Sequence, residues 1–181
     1  GEGWATGDAV NMAIGQGYVQ VTPLQMANVV AAIANGGMLY RPTLVDRISA
    51  VGDGPEEKPP VEVNGQLPLT AEQLGVLQGA LFDVTHAGSG TATHRFQNFA
   101  VPVAGKTGTA EAPPGQPHAW FVGYAPAQPF TAPDGRAVEG PELAIAVVLE
   151  HAGEGSEAAA PLFRRVVEAY YGIEPTPFPW Q

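Results

Sequence analysis

The chain has 181 residues, enough for one domain or a large piece of one, and its 45% hydrophobic content fits a folded core rather than disorder. Eight basic against eighteen acidic residues give a net charge of -10, which argues against a nucleic-acid binder that needs a basic stripe. The chain has no cysteine, so disulfides, thiolate metal sites and cysteine nucleophiles are excluded.

Residues 1–21 are glycine-rich and read as irregular, with a short mixed stretch at Asp8–Ile14. A helix follows: Thr22 can cap it, Pro23 suits its first position, and Gln25 completes a capping box. Leu24–Ala34 is apolar nearly all round, which predicts a buried helix ended by Asn35-Gly36-Gly37. Met38–Val51 reads as one or two short strands around Pro42, and Gly52–Pro60 as a loop. Thr70 and Gln73 form a second capping box, followed by a stripe of Leu74, Leu77, Leu81 and Val84.

Three strands are predicted next, at Val101–Ala110, His118–Tyr124 and Leu143–Leu149. The last is a continuous apolar run, as expected of a strand buried on both faces. The connection Ala125–Pro141 is longer than a simple hairpin needs. A final helix over Glu157–Tyr171 carries a stripe of Ala159, Leu162, Phe163, Val166, Val167 and Tyr170, and a proline-rich tail follows from Ile173. The inter-strand connections are too short for crossovers, so the three strands should run antiparallel. The expected class is α+β, an antiparallel sheet packed with helices.

Only two lysines occur, and Lys106 sits between Gly105 and Thr107-Gly108 in an apolar strand. A lysine there is costly to bury unless paired or functional, and its small neighbours leave the strand edge open to a ligand backbone. A lysine snorkelling from an exposed strand is the competing reading. A phosphate-binding loop is rejected, because Ala100 stands where that motif needs glycine. The four histidines show no ligand spacing and are read as surface or strand-end residues, so no metal and no cofactor are expected. Glu111 and Glu150 are read as solvated carboxylates. Trp4, Trp120 and Phe121 are read as core, with Trp120 the exception that could face a substrate.

Several segments together resemble the penicillin-binding transpeptidases: Lys106–Glu111 (KTGTAE), His118–Pro126 (HAWFVGYAP) and the apolar strand ending at Glu150. The segment Gly7–Gly37, with its IGQG, VTPLQ and AAIANGG, resembles the class B enzymes, the monofunctional transpeptidases of cell-wall synthesis. The resemblance implies the C-terminal portion of a penicillin-binding/serine β-lactamase-like fold, with three of its five strands present. Residues 1–181 would then be the C-terminal part of one transpeptidase domain. Its helical part would span about 1–100, the strands and last helix about 101–172, and the tail 173–181.

The family uses S-x-x-K, S-x-N and K-T-G in chain order. Ser49, Ser89 and Ser156 are the three serines here, and none has either serine context. The resemblance therefore implies that the nucleophile lies upstream and that this chain alone is inactive. It further implies serine acyl transfer on peptidoglycan stem peptides, with β-lactams acylating the same serine. Lys106 and Thr109 are the implied catalytic residues. Thr107, Gly108, Thr109 and Trp120 are the implied substrate-binding residues. The implied partners are the upstream half of the domain, stem peptides, β-lactams and cell-wall synthesis proteins. The implied place is the outer face of the cytoplasmic membrane, anchored by an upstream helix. A D,D-carboxypeptidase or β-lactamase relative, and a catalytically dead binding or sensor module, are the alternatives.

Overall fold

The structure, a computed structural model, describes residues 3–49, 56–175 and 177. Both capping boxes form. Helix α2 (Pro23–Ala34) starts where Thr22 Oγ1 accepts from Gln25 N–H and Gln25 Oε1 accepts from Thr22 N–H. Helix α3 (Ala71–His86) repeats the arrangement with Thr70 and Gln73. Each box satisfies two backbone donors that a helix start otherwise leaves unpaired.

The stretch before α2 is not wholly irregular. Helix α1 (Thr6–Ala13) forms there, and the Asp8 carboxylate accepts from Ala5 N–H at 2.8 Å. Its first-turn aspartate also opposes the helix dipole favourably. No residue of α1 is buried, which explains why hydrophobic spacing gave no signal for it.

Between α2 and α3 the described residues form four short strands: β1 (Met38–Tyr40), β2 (Ile48–Ser49), β3 (Glu56–Glu57) and β4 (Val63–Gln66). They pair as two small antiparallel ribbons, β1 with β4 and β2 with β3. Within the predicted loop Gly52–Pro60, residues 52–55 lie outside the described residues, as do 176 and 178–181 of the predicted tail. A short helix, α4 (Thr93–Phe96), follows α3.

The central sheet has three antiparallel strands: β5 (Ala104–Ala110), β6 (His118–Ala125) and β9 (Leu143–Leu149), in the order β5-β6-β9. Strand β5 starts three residues later than predicted, after Pro102 and the buried Val103. The long connection between β6 and β9 holds a small hairpin, β7 (Phe130–Thr131) with β8 (Ala137–Val138). Helix α5 (Ala159–Tyr171) covers one face. There Phe121 of β6 meets Phe163 of α5 edge-on, with ring centres 4.8 Å apart. Val101, Val103, Ala119, Ala159 and Val167 join that core, all fully buried. Helix α2 packs on β6 and β9, its buried Val30 and Ala32 lying outside that cluster, and α3 runs against β5.

Three burial expectations change. Strand β9 is half-buried along its whole length, because it is an outer strand of the sheet. Helix α2 buries only Val30 and Ala32, while Leu24 and Val29 are exposed. The α5 stripe splits: Ala159, Phe163 and Val167 are buried, whereas Leu162, Val166 and Tyr170 are exposed. The buried face of α5 instead takes in Arg164 and Glu168. Among the described residues no helix is long and apolar enough to cross a membrane.

Candidate functional site

Strand β5 is the other outer strand of the sheet. Side chains alternate along it, so Lys106 and Gly108 lie on the face that Val122 and Trp120 of β6 occupy. Thr107 and Thr109 lie on the opposite face, which is the side toward Phe121. The predicted residues therefore fall on both faces of one strand rather than in one pocket. What they share is the unpaired edge of β5.

Lys106 is exposed, and its Nζ donates to the Thr107 carbonyl at 2.7 Å. It is a snorkelling lysine in its packing, with the ammonium brought back to the strand edge. Thr107 Oγ1 is 2.9 Å from Thr91 Oγ1, a hydroxyl supplied by the loop after α3. The last turn of α3 braces the start of β5 from behind: the buried Thr85 hydroxyl sits 2.6 Å from the Val103 carbonyl, just before β5.

Gly108 is confined on two sides. A Cβ there would lie 3.0 Å from Trp120 Cβ. From the α5 side, the buried Gly155 presses onto the same backbone, so close that a Cβ on Gly155 would overlap the carbonyls of Trp120 and Gly108. Trp120 is half-buried and walls the Lys106 face beside Gly108, whereas Phe121 is fully buried core. Trp4 is 63% exposed and is not core. It lies just ahead of α1, none of whose residues is buried, so nothing there covers the indole.

Among the described residues no strand pairs with the outer edge of β5, and side chains meet part of it. Gln16 Nε2 donates to the Thr109 carbonyl at 3.0 Å, and Glu111 N–H donates to Gln16 Oε1 at 3.4 Å. A carbonyl at residue 109 that faces outward places the N–H of the same residue outward too. The bare edge thus presents Thr107 and Thr109 groups, with no side chain between them at Gly108. This is a geometry for pairing an extended ligand backbone and for donating a hydrogen bond to an oxygen placed against Thr109.

The surroundings are polar and braced. His94 Nε2 lies 2.9 Å from Glu157 Oε1, Arg95 pairs with the other Glu157 oxygen, and Arg95 Nε donates to the Ser156 carbonyl. Burial opposes ionisation of Glu157, but the bonds from His94 and Arg95 outweigh it and hold its carboxyl below the ordinary glutamate range. His118 Nδ1 accepts from His151 N–H at 3.0 Å, at the end of β6 where Ala110 pairs with His118. His86 stacks on Phe82. All four histidines sit in local structural contacts. Glu111 and Glu150 are exposed.

No serine in the described residues has its hydroxyl bonded to a lysine or histidine; that of Ser49 meets Glu56. Gln16, Thr91 and Gly155 were not singled out by sequence reasoning as site residues. Gln16 lay in the glycine-flanked IGQG segment, and Gly155 in a Gly-x-Gly turn ahead of α5, signals too common to weigh alone.

The model of the penicillin-binding protein transpeptidase domain matches residues 1–168. The peptidoglycan D,D-transpeptidase MrdA of Haemophilus influenzae is 32% identical over 92% of this chain, which spans 26% of that protein. The structure of Pseudomonas aeruginosa PBP2 in complex with WCK 5153 is 32% identical, covering 93% of this chain and 34% of its own, with a TM-score of 0.73. Penicillin-binding protein A from Mycobacterium tuberculosis, as its imipenem acyl-enzyme complex, is 29% identical over 88% of this chain and 33% of its own, with a TM-score of 0.68. This chain thus spans about a quarter to a third of the length of these relatives. With its K-T-G strand on the sheet edge and the class B-like Gly7–Gly37 segment ahead of it, the chain belongs to the penicillin-binding protein transpeptidase family.

Proposed function

We propose that this chain is the K-T-G-bearing part of a class B peptidoglycan D,D-transpeptidase, and that a parent polypeptide supplies the S-x-x-K serine from upstream. The observation that carries this reading is the bare outer edge of β5, with Thr109 facing outward and Gly108 confined between Trp120 and Gly155.

In this reading the stem peptide adds to β5 as an extended strand. The upstream serine oxygen attacks the carbonyl carbon between two D-alanines, and its proton passes to a neighbouring base. The carbonyl oxygen becomes an oxyanion, and the Thr109 N–H is one of its two donors. Such a donor typically contributes ~2.7–4 kcal/mol to lowering the barrier. The C–N bond then breaks, and D-alanine leaves with a proton on its nitrogen. The amine of a second stem peptide attacks the acyl-enzyme, forming the cross-link and returning the serine.

Lys106 supplies positive charge toward the ligand carboxylate and the active-site hydroxyls. Thr107 and Thr109 offer their hydroxyls to that carboxylate, and Trp120 walls the strand beside Gly108. A β-lactam would enter the same path and stop at the acyl-enzyme. Because the stem peptide exists only outside the cytoplasmic membrane, the parent would work on that outer side, tethered upstream and alongside other cell-wall synthesis proteins.

The test is acylation by a fluorescent penicillin. The parent should label, and Lys106→Ala should slow labelling at least tenfold. The 181-residue chain alone should not label. Stable adducts on Ser49, Ser89 or Ser156 of the isolated chain, or an unchanged rate in the Lys106→Ala parent, would remove the assignment.

A further inference from the structure

The turn between β9 and α5, residues 150–158, backs the site strand at its middle. The buried Gly155 lies so close to the carbonyls of Gly108 and Trp120 that it has no room for a Cβ. Both ends of the turn are held. Arg95 donates to the Ser156 carbonyl and, with His94, meets the Glu157 carboxylate. At the other end the turn is fastened to the loop between β5 and β6, residues 111–117. Gly153 N–H donates to the Pro117 carbonyl at 3.0 Å, and His151 N–H donates to His118 Nδ1 at 3.0 Å. The two imidazoles meet edge-on, with ring centres 4.7 Å apart. The His151 ring reaches back to the loop: Nδ1 is 3.0 Å from the Gln116 carbonyl, and a Cβ on Gly115 would overlap the ring. His151 holds a left-handed backbone (φ +52°), which a residue with a Cβ adopts only where its surroundings fix it.

The partners assign the protons. A backbone N–H only donates, so His118 Nδ1 accepts and its one proton is on Nε2. A carbonyl only accepts, so His151 Nδ1 carries a proton. The two rings therefore respond differently to a second proton. On His151 it goes to Nε2 and leaves both bonds intact. On His118 it has to go to Nδ1, where it faces the His151 N–H and breaks that bond. The charged groups of the surrounding elements are Lys106 on β5, Glu111 after it, and Glu150 and Glu154 in the turn, all exposed. Lys106 is held to the Thr107 carbonyl. None of the carboxylates pairs with either ring; among the described residues the one histidine–carboxylate pair is that of His94 with Glu157.

We propose that His118 and His151 are positioning residues that form a pH-sensitive latch: neutral His118 fastens the β5–β6 loop to the turn that backs Gly108, and a proton on His118 unfastens it. The effect on catalysis rests on the function proposed above. Histidine is the side chain that changes charge within about pH 5–8, a range the parent would meet on the outer side of the membrane as its medium acidifies. Without the His151 bond the turn is freer at that end, and Gly155 holds the Gly108 backbone less firmly. Reacting groups laid against β5 then lose alignment, and small misplacements cost rate steeply.

Two variants of the parent polypeptide test this. His118→Asn offers an oxygen acceptor near the position of Nδ1 that takes no proton in this range, and His118→Ala removes the acceptor. Two readouts are taken at about pH 7.5 and about pH 5.5, either side of the histidine range. One is amide-exchange protection of residues 151–153, corrected for the intrinsic pH dependence of exchange. The other is the penicillin acylation rate constant. In wild type both should fall on acidification at least about threefold further than in His118→Asn. His118→Ala should be poorly protected at both pH values and acylate slowly at the higher one. Equal protection of the wild type at the two pH values overturns the latch, and so does a His118→Asn protein whose protection falls as steeply as wild type. Failure of the functional reading looks different: a parent that takes up no penicillin at either pH removes the catalytic consequence, while amide exchange still decides the latch.

Discussion

Glu168 lies fully buried under α5 and accepts from Arg164 Nε at 2.8 Å, four residues back on the same helix. Arg165 binds the other carboxylate oxygen at 2.8 Å. Arg164 also donates to the Arg95 carbonyl at 2.8 Å and lies 4.6 Å over the Phe99 ring. The pair therefore ties α5 to α4 and to the loop leading into β5. Removing one member of a buried ion pair typically costs ~3–5 kcal/mol, because the other charge is left uncompensated in the core. Glu168→Leu should lose stability on that scale in urea unfolding of the parent. Adding Arg164→Met to it should recover part of that loss, since the more buried of the two arginine charges that faced Glu168 is then gone.

Gly108→Ala should separate activity from stability. Its Cβ would press on Trp120 Cβ at 3.0 Å, a shift of a few tenths of an ångström that the half-buried tryptophan can absorb. Melting should change little, while penicillin acylation falls at least tenfold as the ligand edge fills. Gly155→Ala offers the contrast. There the added methyl overlaps two backbone carbonyls that cannot yield, so both melting temperature and acylation should drop.

Thr85→Val tests the brace behind β5. The hydroxyl is within hydrogen-bonding distance of the Val103 carbonyl at 2.6 Å and of the Phe82 carbonyl at 2.9 Å. Valine keeps the volume and removes the donor. A buried carbonyl left unsatisfied costs ~1–3 kcal/mol. A melting curve superimposable on wild type would show that the brace contributes nothing.

The Glu157 carboxyl predicts an acid limb. Its folded-state value lies below the unfolded one, so its contribution is present above about pH 4.3 and is lost as pH falls through the folded value. Its side chain is 53% exposed, so the contribution is held to about 1 kcal/mol or less. Glu157→Gln should lower the melting temperature at pH 6 and converge with wild type near pH 3. A constant offset across that range would assign the effect to packing rather than charge.

The isolated 181-residue chain should self-associate. Strand β9 is an apolar outer strand, and Leu162, Val166 and Tyr170 of α5 are exposed beside it. Unpaired apolar edges and exposed apolar patches of this kind drive association. Sedimentation at increasing concentration checks this, and a monomer throughout would contradict it.

Local chemistry made the helices and strands readable. Thr22 with Gln25, and Thr70 with Gln73, mark their helix starts within four residues, and the three central strands show their apolar or aromatic content directly. Helix α1 escaped because it buries nothing. The inward turn of Arg164 and Glu168 escaped because charge reads as exposure, and only tertiary pairing reverses that rule. At the site, Lys106 stood out by rarity and Gly108 by its motif. The partners that give them geometry lie far away in sequence: Thr91 is 16 residues from Thr107, and Gln16 is 93 from Thr109. Contacts of that span leave no periodicity behind.

The bond between Gln16 and Thr109 also bears on the order in which the chain assembles. Strands β5 and β6 are joined by a short loop, so their hairpin closes at low entropic cost and can form early. The Gln16 contact instead requires the whole stretch through α2 and α3 to be condensed first. The Gln16 contact at the end of β5 would therefore form late. A nascent or partly folded chain would display a strand edge that is open along its whole length, a template for mispairing during the interval before the amide arrives.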